Sequence, residues 1–292
     1  DVNINDLVGV SVIHGQKLSY FTFILQGTKS SVDSYIDAAR VTLFPADKDT
    51  HYAFNVASAH GKDHEPYLTK HVYSLEGQQK LFEDFLLSAE YAQEKESQSS
   101  LAGLKWQKGQ MTSALNFRQI NKDFTTISGY PSSQGETGLM WSTTMDSEKI
   151  SGETVFDLYR QYLYTNPNDP SAINYDANGH LRISLLKDLW SDTNFYYVHT
   201  PGEISPRRNI GLDERLSKSI GMWQGRKATA YIASTLQRTR YELSSSSEYD
   251  RFSLVPGIQV PLTNRLSAYT NYEYSWIHEL ESENELNPNV FT

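Results

Sequence analysis

The sequence predicts an all-β fold: a transmembrane, antiparallel up-and-down β-barrel with about sixteen strands visible. Three observations lead there. Long stretches alternate apolar and polar residues with a period of two. The connections between them alternate between short turns and longer polar loops. Aromatic residues are abundant and Tyr leads them, with 19 Tyr, 12 Phe and 5 Trp. Tyr suits strands, and its ring and hydroxyl also suit a membrane–water interface.

Taken along the chain, the alternation begins with Tyr52, Phe54 and Val56 against Ala53, Asn55 and Ala57. The stretch Leu81 to Gln93 has apolar residues at three- and four-residue spacing as well. It is read as a strand because Glu76-Gly77 and Glu94-Lys95-Glu96-Ser97 bracket it. Leu115 and Phe117 then alternate with Asn116 and Arg118, and Leu139 and Trp141 with Met140 and Ser142. Leu181, Ile183 and Leu185 alternate with Arg182 and Ser184. Ala228, Ala230, Ile232 and Leu236 alternate with Thr229, Tyr231, Thr235 and Gln237. The longest run is Leu266 to Leu280. Leu266, Ala268, Tyr272, Tyr274 and Trp276 fall on one face, and Ser267, Asn271, Glu273, Ser275 and Glu279 on the other, with Tyr269 and Thr270 as exceptions. Such a run exceeds the roughly five or six residues of a common globular strand and suits a tilted membrane crossing of about 9–11.

Short turns are expected at Gly15-Gln16, Pro45 to Asp49, Glu76-Gly77-Gln78, Lys108-Gly109, Asp146-Ser147-Glu148, Ser191-Asp192, Trp223-Gln224-Gly225 and Pro261 to Asn264. Longer loops are expected at Ala59 to Thr69, Asn121 to Gln134, Thr165 to Asn178, Pro201 to Asn209 and Leu243 to Glu248. Short turns at one end and long loops at the other describe a membrane barrel. With Gly15-Gln16 as the first short turn and the tail 279–292 as an outer loop, both ends of the chain fall on the long-loop side. The single domain 1–292 is therefore expected to belong to a longer chain and a barrel of about eighteen or more strands.

Composition narrows the function classes. The net charge is -9 over 292 residues, which disfavours a general nucleic-acid binder. Cysteine is absent, so no disulfide framework and no Cys-ligated metal is encoded. No apolar run is long enough for a transmembrane helix, a fact without bearing on barrels.

Several segments resemble those of Gram-negative outer-membrane β-barrels as a class. Ala102 to Met111 resembles their strand–turn–strand unit. Leu115-Asn116-Phe117-Arg118, followed by Asp123 to Gly129, resembles their passage from strand to outer loop, and Trp190 to Tyr197 resembles a further hairpin. The resemblance covers nearly the whole chain and is to no particular family. It implies an integral outer-membrane protein whose signal peptide has been removed. Its neighbours would be outer-membrane lipid, lipopolysaccharide and other envelope proteins. The terminal aromatic residue usual in the class is missing at Thr292.

Catalysis finds little support. None of the eight His is followed two residues later by Ser, the pair of outer-membrane phospholipases. Asp63-His64 is the sole echo of an omptin-type protease, and the chain is read as a non-enzyme. His60, Asp63, His64 and His71 could gather around a metal, but Gly61 and Pro66 place them in a loop without fixed geometry. Oxygen donors at Asn168, Asp169, Asp176 and Asn178 suit calcium; equally, Asn, Asp, Pro and Gly are turn residues for local reasons. Calcium is the one cofactor considered.

If the apolar faces meet lipid, Asn116, Arg118, Arg182, Thr229, Thr235, Gln237, Asn271 and Glu273 line a polar lumen. About sixteen strands leave an aqueous channel. The expectation is a channel passing solutes or an exported polymer. The alternatives are a barrel that sheathes partner proteins, and a soluble secreted all-β binding protein.

Overall fold

The computed structural model describes residues 8–23, 29–43, 49–63, 65–125, 133–223, 225–241, 248–263, 265–279, 285–286 and 289–290. Side chains are described from residue 38 onward, apart from 59–70, 223, 279 and the last two short segments. Among the described residues every regular element is a β-strand. The chain forms two compact units, Asp1–Trp106 with Leu115–Gly138 and Gln107–Ala114 with Leu139–Thr292.

The first unit is an antiparallel meander. It contains β1 (Val8–Phe23), β2 (Lys29–Leu43), β3 (His51–Asp63), β4 (Glu65–Phe82), β5 (Phe85–Glu94) and most of β6 (Ser97–Lys108), each paired with the next. Two further strands, β7 (Met111–Ile120) and β8 (Glu136–Asp146), contribute to both units.

The second unit continues the meander with β9 (Ile150–Gln161), β10 (Asn174–Leu186), β11 (Leu189–His199), β12 (Arg207–Trp223), β13 (Arg226–Tyr241) and β14 (Tyr249–Pro261). Then β15 (Ser267–Asn271) and β16 (Glu273–Glu279) pair with β14 in one unbroken register. Between them Tyr272 N–H donates to the Pro256 carbonyl at 3.1 Å, so they make a single strand. The described residues thus hold fifteen full strands. Among the described residues neither unit closes on itself: within each, the ladders form an open up-and-down sheet.

The alternation read at 266–280 is realised over 267–279, with Tyr274 opposite Leu254 and Ser275 opposite Ser253, and Leu280 lies outside the described residues. The tail is not simply a loop. Glu285–Leu286 (β17) and Asn289–Val290 (β18) pair with β16 in a common register, beginning another strand.

Several turns lie elsewhere than the sequence suggested. Gly15-Gln16 falls inside β1, where the register shifts between Ile13 and Gln16, so the argument about chain ends built on that turn does not stand. Glu76-Gly77-Gln78 lies within β4, and the chain turns at 83–84 instead. Gly77 is a strand residue because Tyr52 packs across it: a Cβ there would lie 2.9 Å from the Tyr52 ring. Ser191-Asp192 lies within β11, and the turn is at 187–188, where Asp188 takes φ 62°, a conformation Asp tolerates. The polar stretch 59–69 belongs to the paired strands β3 and β4, with 64 outside the described residues. Its ladder satisfies the backbone whatever the side chains.

The turns at Gly109 (φ 58°) and Gly225 (φ 77°) fall where expected. In the second unit one end of the sheet carries connections 147–149, 187–188, 224–225 and 262–266. The other end carries 162–173, 200–206 and 242–248. Loops 162–173 and 200–206 are tied together: Asn166 N–H donates to the Gly202 carbonyl at 2.8 Å, and Asn166 Nδ2 to the Pro201 carbonyl at 2.9 Å. Gly202 N–H donates to Asn174 Oδ1 at 3.0 Å, and Asn174 and Thr200 are fully buried there.

Candidate functional site: the polar face of the sheet

Strand pairing fixes which side chains share a face, because residues directly opposite on neighbouring strands point the same way. In the second unit Leu212 lies opposite both Phe195 and Leu236, and Leu236 opposite Phe252. Ile210, Leu216, Ile232, Leu254 and Tyr274 share that face. Apart from the half-buried Phe195 and Phe252 these side chains are exposed: Ile210 48%, Ile232 52% and Leu236 50%. Trp141 and Phe156 stack at 5.7 Å, both exposed.

The opposite face is polar and densely bonded. Ser217 is 2% exposed, Thr239 3%, Ser253 3% and Ser275 4%. Thr235 Oγ1 donates to Asp213 Oδ1 at 2.7 Å. Arg251 donates to Glu273 Oε1 at 3.0 Å. Gln237 Nε2 donates to the Tyr249 hydroxyl at 3.0 Å. Arg182 Nε lies 3.6 Å from Asp192 and its guanidinium 5.5 Å from the Trp190 ring centre. His180 Nε2 is 3.8 Å from the same carboxylate. The Arg215 guanidinium covers the Tyr231 ring at 3.9 Å, close enough for a cation–π attraction.

Six of the eight residues expected to line a lumen meet on this face: Arg182, Thr229, Thr235, Gln237, Asn271 and Glu273. Asn271 lies opposite Gly257, which the Tyr231 ring covers. The other two belong to the first unit. Arg118 Nε is 2.9 Å from Glu136 Oε2, with side chains 13% and 14% exposed. Asn116 Oδ1 would lie 2.8 Å from a Cβ built on Gly103. The first unit has its own polar cluster: Arg40 bonds Asn55 at 3.2 Å and pairs with Glu76, while Asn55 bonds Ser74 at 3.0 Å.

Sequence reasoning missed His180, Trp190, Asp192, Asp213 and Arg215 as parts of the polar face, and placed Tyr231 there without a role. Asp192 was hidden by the misplaced turn. A signal was present in β12, where Asn209, Gly211, Asp213, Arg215, Ser217 and Ser219 alternate with Ile210, Leu212, Leu216 and Ile220. Glu214 breaks that alternation. It lies on the apolar face and accepts hydrogen bonds from Ser191 and Thr193, which share that face.

The oxygen donors considered for calcium do not share one loop. Asn168 and Asp169 sit in an Asx turn, Asn168 N–H donating to Asn166 Oδ1 at 2.9 Å. Asp176 and Asn178 are strand residues of β10. Among the described residues no group of three or more His, Asp or Glu is placed to hold a metal. Of the His cluster, His71 Nδ1 is 2.7 Å from Ser58 Oγ, His64 lies outside the described residues, and the side chains of His60 and Asp63 do too.

No family model, no curated protein and no solved structure matches the chain.

Proposed function

We propose that this chain forms the wall of an outer-membrane β-barrel channel, its apolar face against lipid and its polar face lining an aqueous lumen. The observation that carries this is the inverted exposure of the second unit. Large aliphatic side chains stand in the open on one face, while Ser and Thr are covered among hydrogen-bonded neighbours on the other. A soluble sheet turns its apolar face toward a core, and soluble monomers rarely leave a contiguous apolar face uncovered. A membrane barrel does the reverse.

The strand lengths agree with the reading. Strands β12 and β13 have 17 and 16 residues, more than the roughly 9–11 that a tilted crossing requires. The unequal loops at the two ends fit a short periplasmic side and a longer external side. Barrel closure is part of the proposal, because an open sheet edge is not tolerated in lipid. A barrel of about fifteen or more strands is wide enough to leave an aqueous path.

The test is expression behind a signal peptide, outer-membrane isolation, and comparison of boiled with unboiled gel mobility, followed by planar-bilayer conductance. A mobility shift with discrete conductance steps is expected. A freely soluble protein without a shift would overturn the proposal and favour a soluble binding protein.

A further inference from the structure

The polar face of the second unit is uneven. Three ladder rows cross β11, β12 and β13 there. Trp190, Ser217 and Tyr231 form the first, Asp192, Arg215 and Ala233 the second, and Asn194, Asp213 and Thr235 the third. Small side chains at Ser217 and Ala233 leave the middle low, and the larger side chains around them make walls. The result is a concavity of about 520 Å³ that Gln259 and His180 also line, a size within the roughly 300–1,000 Å³ range of small-ligand sites.

Its chemistry is specific. Asp192 is matched by Arg182 and His180, and Asp213 by the Thr235 hydroxyl. The Arg215 charge rests on the Tyr231 ring. Charges of both signs are therefore close together and locally balanced, which disfavours a strongly charged ligand of either sign. What remains is a set of planar donors and acceptors, two carboxylates, two amides and a guanidinium, beside the Trp190 ring. Trp190 is the aromatic ring in the lining, whereas the Tyr231 ring packs over Gly257 under the Arg215 guanidinium. A pyranose ring suits this arrangement. Its hydroxyls are paired donors and acceptors that match carboxylates and amides, and its C–H face packs on aromatic rings.

We propose that this concavity is a subsite for a neutral hexose oligomer on the channel wall. The inference rests on the channel reading for its access route. Trp190 supplies the apolar contact, and Asp192, Asn194, Asp213 and Gln259 bond the hydroxyls. Such a chain could be a free oligosaccharide entering or a polymer leaving.

The experiment uses the full chain in planar bilayers with maltohexaose as the probe. Concentration-dependent current interruptions are expected. Trp190→Ala and Asp213→Asn should each weaken the block about tenfold or more, while Lys227→Met, near the start of β13 and outside the lining, should not. A polyether of similar length should interrupt the current far less than the sugar. Addition from each side in turn separates the two sources: stronger block from the long-loop side points to uptake, and from the short-turn side to export. A conducting channel indifferent to maltohexaose, or equally blocked by the polyether, overturns the subsite and leaves the channel reading intact. If no channel forms, tryptophan fluorescence of the detergent-solubilised protein, compared with Trp190→Phe, decides the subsite alone. A saturable change lost in the variant upholds it, and no change overturns it.

Discussion

Thr235 and Leu236 are chain neighbours with opposite surroundings. Thr235 donates to Asp213 at 2.7 Å on the polar face, and Leu236 stands 50% exposed opposite Leu212 and Phe252 on the other. If the exposed face meets lipid, Leu236→Arg places a cation in hydrocarbon and should destabilise the assembled protein by about 2–4 kcal/mol. On a water-facing surface the same change would fall within about 0.5 kcal/mol. Urea titration of the heat-modifiable form in lipid vesicles reads the difference. An effect near zero would place that face in water.

Two glycines sit under tight neighbours of different kinds. A Cβ at Gly211 would strike the Tyr196 ring, whereas one at Gly152 would strike the backbone carbonyl of His180. Both alanine variants should lose about 1–3 kcal/mol, the usual range for overpacking. Tyr196→Leu should rescue Gly211→Ala by emptying the space. No side-chain truncation should rescue Gly152→Ala, because the obstacle is main chain. Unfolding midpoints of the single and double variants test both statements.

The Arg118–Glu136 pair spans the two strands that flank the long connection 121–135, at 2.9 Å and with both side chains mostly covered. Glu136→Gln leaves a guanidinium short of its counter-charge and should destabilise by about 1–3 kcal/mol. Arg118→Gln should add little on top, giving a favourable coupling energy in a double-mutant cycle. Additive losses would mean that the two side chains act independently.

At the 187–188 turn, the hydrogen bond from Lys227 holds the Asp188 carboxyl below the usual carboxylate range. A lowered folded-state value means that the contribution is present above the ordinary carboxylate range and is lost as the pH falls through the folded value. Asp188 is half-buried at the turn, so the effect is local and is read by carboxyl NMR titration. Lys227→Met should return Asp188 toward the ordinary range, and an unchanged titration would rule out Lys227 as the cause.

How far the sequence carried depended on whether the determinants were local. Alternation at 181–185, 228–237 and 266–280 named the faces, since one residue per step is all a strand pattern needs. Six polar-face residues followed from that alone. The turn sites at Gly109 and Gly225 were legible because a positive φ marks them. Gly77 misled because its partner is Tyr52, a strand away, and no local rule distinguishes a glycine beneath an aromatic ring from a glycine in a turn. The concavity beside Trp190 was hidden for a similar reason: it exists through the register of three strands, which sequence alone does not fix.

The most direct test of the inside-out sheet uses the absence of cysteine, which lets single cysteines be labelled without background. Spin labels at Thr235→Cys and Leu236→Cys, in protein assembled in lipid vesicles, report collision with oxygen from lipid and with a nickel chelate from water. The account predicts that label 236 collides mainly with oxygen and label 235 mainly with the chelate. If both labels meet the chelate alike, the apolar face is in water and the channel proposal fails.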